Sequence, residues 1–281
     1  MSKSTEQGAD FYIGWREKLP IPHRKAARQF VYGAVGVFTL VAVLLVLNQR
    51  GFANSVFELG NITSVEGILL QKPVPMLQTV ENGQKKSILL VGFGKAGAEE
   101  TLTAIQGDEE VSIYGAAVEL KGTLIYYQDK TVLELTEGVE SFVGFRSSPN
   151  LRQMATVPTD KEDFGQVSLF GEILDPKCAL GVMKPGHGKP HRSCAIRCIS
   201  GGIPPIFRMR TTDNKTNYAL VVGEDGSKIN APLLPYVADQ LRLCGRLEQQ
   251  DDWLVLYLNP EEDILRLQSH WTDGELPRCS G

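Results

Sequence analysis

The chain uses one pattern twice, and the second use carries an addition. Ser64-Val65-Glu66-Gly67-Ile68-Leu69-Leu70 has a counterpart in Ser168-Leu169-Phe170-Gly171-Glu172-Ile173-Leu174. Leu89-Leu90-Val91-Gly92 matches Leu220-Val221-Val222-Gly223, and Val111-Ser112-Ile113-Tyr114-Gly115 is aligned with Leu241-Arg242-Leu243-Cys244-Gly245. Gly92 and Gly115 are 23 residues apart and Gly223 and Gly245 are 22 apart, so these segments correspond. Gly67 and Gly92 are separated by 25 residues, but Gly171 and Gly223 by 52, which puts about 27 extra residues at one place in the second copy.

Hydrophobic alternation in copy one predicts strands near 62–70, 74–80, 86–92, 110–119 and 123–136, with a helix near 98–105. In copy two it predicts strands near 166–174, 205–211, 217–223, 240–248 and 252–258, with a helix near 231–239. Three strands, a helix and two strands is the order of the five-stranded OB-type barrel. The expected fold is therefore mainly β: a single N-terminal transmembrane helix, then two tandem OB-like barrels. The second barrel has a Cys/His-rich insertion between its strands 1 and 2. The boundaries read as a tail over 1–29, the span over 30–48 and a first barrel over 54–146. A linker over 147–163, a second barrel over 164–267 with its insertion at 178–205, and a polar tail over 268–281 complete the chain.

The span rests on Phe30 to Leu47, an 18-residue run without a charge. At about 1.5 Å per residue it nearly matches a hydrocarbon core about 30 Å thick. Arg16, Lys18, Arg24, Lys25 and Arg28 precede it within 20 residues, whereas Arg50 alone follows over a similar stretch. The positive-inside rule puts the N-terminus in the cytoplasm and the barrels in the periplasm of a bacterial inner membrane. A cleaved signal peptide is the competing reading, since Gly51 and Ala53 resemble a small-x-small site. The 29 residues ahead of the run and its length both exceed what a signal peptide needs. Phe11-Tyr12-Ile13-Gly14-Trp15 reads as an aromatic anchor at the membrane interface, with a partner subunit's contact as the sharper alternative. Residues 51–281 hold 22 Lys/Arg against 30 Asp/Glu, which excludes general nucleic-acid binding.

The insertion holds three of the five cysteines and two of the four histidines. Pro190 suits a helix start and Gly201-Gly202 its end, and that helix would align His191, Cys194 and Cys198 at i, i+3 and i+7. Structural disulfides are the favoured reading in an oxidising compartment, drawn from Cys178, Cys194, Cys198 and Cys244 with Cys279 left over. A bridge across a loop of this length would add on the order of 3 kcal/mol. On this reading no cofactor is expected. The alternative is a Zn or Cu site on His187, His191, Cys194 and Cys198, with Met183 as a further soft donor for Cu(I). A reactive dithiol flanked by Arg192 and Arg197 is a third reading. Anion binding by Lys184, Lys189 and Arg192 at the glycine-rich turn is a fourth.

Other signals are weaker. Gly92-Phe93-Gly94-Lys95-Ala96-Gly97 is a literal G-x-G-x-x-G, but the short helix after it and its absence from copy two make it a turn and not a dinucleotide site. There is no G-x-S-x-G and no H-E-x-x-H, so a non-enzyme is favoured. Asp251-Asp252 and Glu261-Glu262-Asp263 read as solvated charges, and Trp253 as a packing residue.

The run from Lys177 to Pro205, K-C-x-L-G-V-M-K-P-G-x-G-K-x-H-R-x-C-A-x-R-C-I-x-G-G-I-P-P, resembles a motif of uncharacterised bacterial membrane-anchored proteins. That resemblance implies no activity. The aromatic-then-basic lead into one anchor looks like that of Rieske-type subunits. The paired C-x-H and C-x-x-H loops are missing, so no Fe–S centre is implied. The expectation is a membrane-tethered accessory or interaction protein, placed beside the subunits of a membrane redox complex. Its alternative is a metal-binding or thiol-redox protein.

Overall fold

The structure, a computed structural model, describes residues 21–48, 55–147, 161–210 and 215–267. The aromatic cluster at 11–15, most of the linker, the tail and Cys279 lie outside these residues. The chain divides into two units, Met1–Gly51 and Phe52–Gly281.

In the first unit, α1 runs over Ile21–Asn48. Its stretch His23–Asn48 is long and apolar enough to cross a membrane, and none of its apolar window is buried within the protein. No polar stripe interrupts residues 30–47, so the helix has no face suited to water and none folded against a core. Arg28 stacks over the Tyr32 ring at 5.7 Å, just before the apolar stretch.

The second unit is mainly β and contains two closed five-stranded barrels. The first is built from β2 (Thr63–Leu70), β3 (Met76–Glu81), β4 (Gln84–Gly92), β5 (Ala117–Tyr127) and β6 (Lys130–Leu135). Its order is β5-β2-β3-β4-β6, closed by β5–β6 pairing, with β4 and β6 parallel. The short strands β1 (Val56–Phe57) and β7 (Phe142–Phe145) add to β5. Helix α2 (Glu99–Asp108) follows β4 and buries Leu102 and Ile105.

The second barrel repeats the plan with β8 (Lys161–Leu174), β9 (Ile206–Arg210), β10 (Thr216–Gly223), β11 (Leu241–Gln250) and β12 (Trp253–Leu258). Parallel β10–β12 pairing and antiparallel β11–β12 pairing close it, and β13 (Ile264–Arg266) adds to β11. The insertion spans 175–205, between the first and second strands of this barrel, as the spacing required.

Register corrects one part of the repeat. Gly67 pairs with Val118, and its counterpart Gly171 pairs with Leu241. The equivalent of Leu241–Gly245 is therefore 118–122, not 111–115, and the counterpart of Cys244 is Lys121, not Tyr114. Gly122 and Gly245 occupy the same place for the same reason. A Cβ on Gly122 would strike the Glu134 carbonyl, and one on Gly245 the Tyr257 carbonyl, where the barrel closes. Val111–Gly115 instead forms the path from α2 to β5 and supplies Ile113 to the first core.

From Ser87 in β4 and from Tyr218 in β10 the strands are buried on both sides, which explains their continuous apolar runs. Ile88 and Leu90 face the first barrel's own core with Leu69, Leu77, Leu120 and Leu133. Leu89 and Val91 belong to a larger cluster shared with Leu220, Val222, Phe207 and the insertion's Leu180, Ala195 and Ile199. The two barrels are thus one packed body that shares an apolar core.

Polar groups complete the seam. Trp253 is fully buried and its Nε1 donates to the Ser87 carbonyl at 2.7 Å. Ser87 N–H donates to Asp252 Oδ1 at 2.8 Å, Ser87 Oγ and Gln78 Nε2 donate to Asp251 Oδ2, and Lys130 Nζ donates to the Asp252 carbonyl. Asp251-Asp252 is therefore an inter-barrel contact and not a solvated pair. Burial raises the Asp252 carboxyl above its ordinary range.

Trp253→Ala should lower stability by about 3–5 kcal/mol, the usual range for deleting a buried large aromatic. Trp253→Phe, which keeps much of the packing but loses the hydrogen bond to Ser87, should lower it by about 1 kcal/mol. Urea denaturation of the full chain in detergent, followed by fluorescence, measures both.

Candidate metal centre

Asp175, the residue after β8, starts the insertion with three jobs. Its Oδ1 accepts the Cys178 N–H at 2.9 Å and its carbonyl accepts the Ala179 N–H at 3.1 Å. Its Oδ2 is 3.0 Å from His191 Nε2, with both side chains almost wholly buried. These bonds set the tight turn Cys178–Val182 and tie it to the 3-10 turn Lys189–His191. Helix α3 (Arg192–Ser200) follows, with Ala195, Cys198 and Ile199 facing the core and Gly201 at its C-terminal end.

This path brings three sulfurs together. The Sγ atoms of Cys178, Cys194 and Cys198 all lie within 4.8 Å of one another, and Cys178 and Cys194 are 4.0 Å apart. Cys178 and Cys198 are buried, while Cys194 is partly exposed. All three are free thiols. The expected disulfide bracing among them is thus not formed, because α3 turns its two cysteines toward one common point instead of toward separate partners. Cys244, buried in β11, is disulfide-bonded and is not one of these free thiols.

Ligand-bearing atoms of Asp175, Cys178 and His191 form a second group within 4.8 Å, so Cys178 belongs to both. The arrangement differs from the expected set of His187, His191, Cys194 and Cys198. His191 is drawn to Asp175, and His187 is half-exposed with its Nδ1 4.0 Å from Glu172. Met183 is likewise half-exposed. Cys178, assigned from sequence only to a disulfide, takes the place expected of a histidine.

The basic residues expected to gather an anion are each held elsewhere. Lys184 Nζ donates to the Ser55 carbonyl at 3.0 Å, and Lys189 and Arg192 both pair with Asp239. Arg266 Nε also donates to Asp239, at 2.9 Å. Burial pushes the Asp239 carboxyl upward, but hydrogen bonds from Lys189 and Arg266 and the Arg192 charge outweigh it and hold it low. Asp239 is therefore the latch that fastens the start of α3 to the second barrel.

The first barrel reaches the thiols through the turn after β4. Lys95 Nζ lies 2.9 Å from Cys194 Sγ. The neighbouring Gly94 donates its N–H to Glu134 Oε1 at 3.1 Å, and its carbonyl accepts from Lys177 Nζ at 2.6 Å. Lys177 also forms a buried ion pair with Glu134, with only 6% and 4% of the side chains exposed. Gly97 N–H donates to the Gly201 carbonyl at 2.9 Å. A Cβ on Gly201 would collide with the Lys95 carbonyl, so glycine lets this turn press against the end of α3. The G-x-G-x-x-G stretch is thus a turn that docks on the insertion.

The thiols share protons unequally. The Cys178 thiol is pushed up, chiefly because it donates its hydrogen bond to Cys198, with burial and the nearby Asp175 adding to the effect. The Cys198 thiol is lowered by accepting that bond, with help from the Lys95 charge. The hydrogen bond to Cys194 raises Lys95, keeping its ammonium charged. Three convergent thiols with one adjacent cation can hold a soft or borderline metal ion.

Lys95, Lys177, Glu134 and Asp175 were not singled out from sequence. The one legible hint was that three cysteines share the insertion while Cys244 lies outside it. No protein-family model matches the chain, and no curated protein or solved structure matches it either.

Lys177→Met should destabilise the protein by about 3–5 kcal/mol, because Glu134 is left charged and buried. Lys177→Met with Glu134→Leu should recover a large part of that loss, and a denaturation double-mutant cycle tests it.

The Asp239 latch should weaken with acid. A carboxyl lowered on folding stabilises the fold fully above its unfolded value of about 3.9, and that stability is lost as pH falls through the folded value. Asp239→Asn should remove this acid-side component, as seen in stability profiles from pH 6 down to about 3.

Proposed function

We propose that this chain is a membrane-tethered, non-enzymatic metal-binding protein. Its second barrel holds Zn(II) or Cu(I) on Cys178, Cys194 and Cys198. The observation that carries this reading is the convergence of three free sulfurs within 4.8 Å of one another. Three thiols cannot all be satisfied by one disulfide, whereas each can give a thiolate to the same ion. Thiolates select Zn(II), Cu(I) and related soft ions over the hard cations.

The charge distribution around α1 supports barrels in the periplasm of a bacterial inner membrane. In that oxidising setting a bound ion gives a reason for closely spaced thiols to persist. The tether and the inter-barrel location of the site suit an accessory subunit of a membrane redox complex. A second reading, a dithiol redox pair, is favoured by the 4.0 Å separation of Cys178 and Cys194.

Elemental analysis of the full chain, purified gently in detergent, separates the two. The expected result is stoichiometric zinc or copper, lost in Cys198→Ser. Metal-free protein whose intact non-reduced mass shows a disulfide beyond that of Cys244 would overturn the metal reading in favour of the redox one.

A further inference from the structure

We infer that the thiolate site is open on one side, and that an exogenous thiolate enters there, beside Lys95, to exchange the metal ion with Cys194. This rests on the metal-binding reading above. Among the described residues, no histidine, cysteine or carboxylate joins all three sulfurs as a fourth donor. His191 and Asp175, which lie near Cys178, are engaged with each other, His191 Nε2 being 3.0 Å from Asp175 Oδ2. Structural zinc sites are closed by four protein ligands, whereas sites that keep a position open do so for a ligand from outside.

The three sulfurs also differ in access. Cys178 and Cys198 are 4% and 2% exposed, and Cys198 belongs to the shared core, while Cys194 is partly exposed. The open side is therefore the Cys194 side, and an exposed lysine stands there: Lys95, with Nζ 2.9 Å from Cys194 Sγ. A three-thiolate site carries a net charge of −2 with Cu(I) or −1 with Zn(II), so an arriving thiolate meets repulsion. The Lys95 ammonium offsets that repulsion at the one sulfur that can be approached.

The exchange conserves charge and electrons. A bond forms between the metal and the incoming sulfur as the bond from the metal to Cys194 Sγ breaks. The released Cys194 thiolate pairs with the Lys95 ammonium, and nothing is oxidised or reduced. The two buried sulfurs keep the ion until a second donor arrives. The ligand class is a soft anionic sulfur donor, a small thiol or a partner's cysteine. Lys95 is a positioning residue in this step.

The test uses the full chain in detergent, loaded anaerobically with Cu(I), with glutathione as the probe. X-ray absorption should show three sulfur donors at rest. Stopped-flow transfer of copper to glutathione should be about tenfold slower in Lys95→Met, with Lys95→Arg restoring the rate and unaltered copper stoichiometry in both. Cys194→Ser should still bind copper, on two sulfurs and more weakly. A fourth protein donor at rest, or transfer indifferent to Lys95→Met, would overturn the inference while leaving the metal reading intact. Failure of the unsubstituted chain to retain copper or zinc would overturn both.

Discussion

The ion pair between Lys177 and Glu134 joins the parts of this protein that carry its chemistry. Two charges removed from water are tolerated only when each has several partners, and here both also bond to Gly94. Lys177 is the residue before Cys178, and Gly94 is the residue before Lys95. One buried pair therefore fixes a sulfur from the second barrel and a cation from the first in the same frame. An exposed Lys–Glu contact would not hold that geometry, because surface pairs contribute little.

Around that pair, the seam between the barrels makes the arrangement rigid. Over Ser87–Gly92 of β4 and Tyr218–Gly223 of β10 every residue is buried, so the duplicated domains cannot separate without exposing Leu89, Val91, Leu220 and Val222. The Asp251-Asp252 turn and Trp253 close the other end of the seam on Ser87. The insertion is held from two sides, by Asp239, which grips Lys189 and Arg192, and by the turn at 93–97, which lies on the end of α3, while its own Asp175 organises Cys178 and His191. A glycine- and proline-rich loop with few apolar residues of its own is ordered by these contacts, not by the disulfides its composition suggests. The thiols left unpaired by that solution are the ones the metal reading uses.

The repeat, the barrel order, the apolar helix and the position of the insertion were all legible in the sequence. Each is encoded locally, through two-residue alternation, turn glycines and an uninterrupted hydrophobic run. The register of the fourth strand was not. Val111–Gly115 alternates like a strand and ends in glycine, yet Ile113 is used by the first core on the way out of α2. The distinguishing requirement, a carbonyl pressed against Gly122, comes from the partner strand. Asp251-Asp252 was read as solvated because acidic pairs at hairpin tips usually are, and the second barrel's contact with the first could not be seen from one hairpin.

By itself the sequence determined an apolar helix long enough to cross a membrane, two copies of one barrel and a single place where cysteines and histidines accumulate. Only the tertiary structure decided which of them meet. Helical spacing aligned His191 with Cys194 and Cys198, but Asp175 holds the imidazole, and Cys178 enters from a turn 16 residues earlier. Lys95 reaches Cys194 across 99 residues of chain. Such meetings depend on how two barrels pack, and packing is a property of complementary surfaces that no local pattern records.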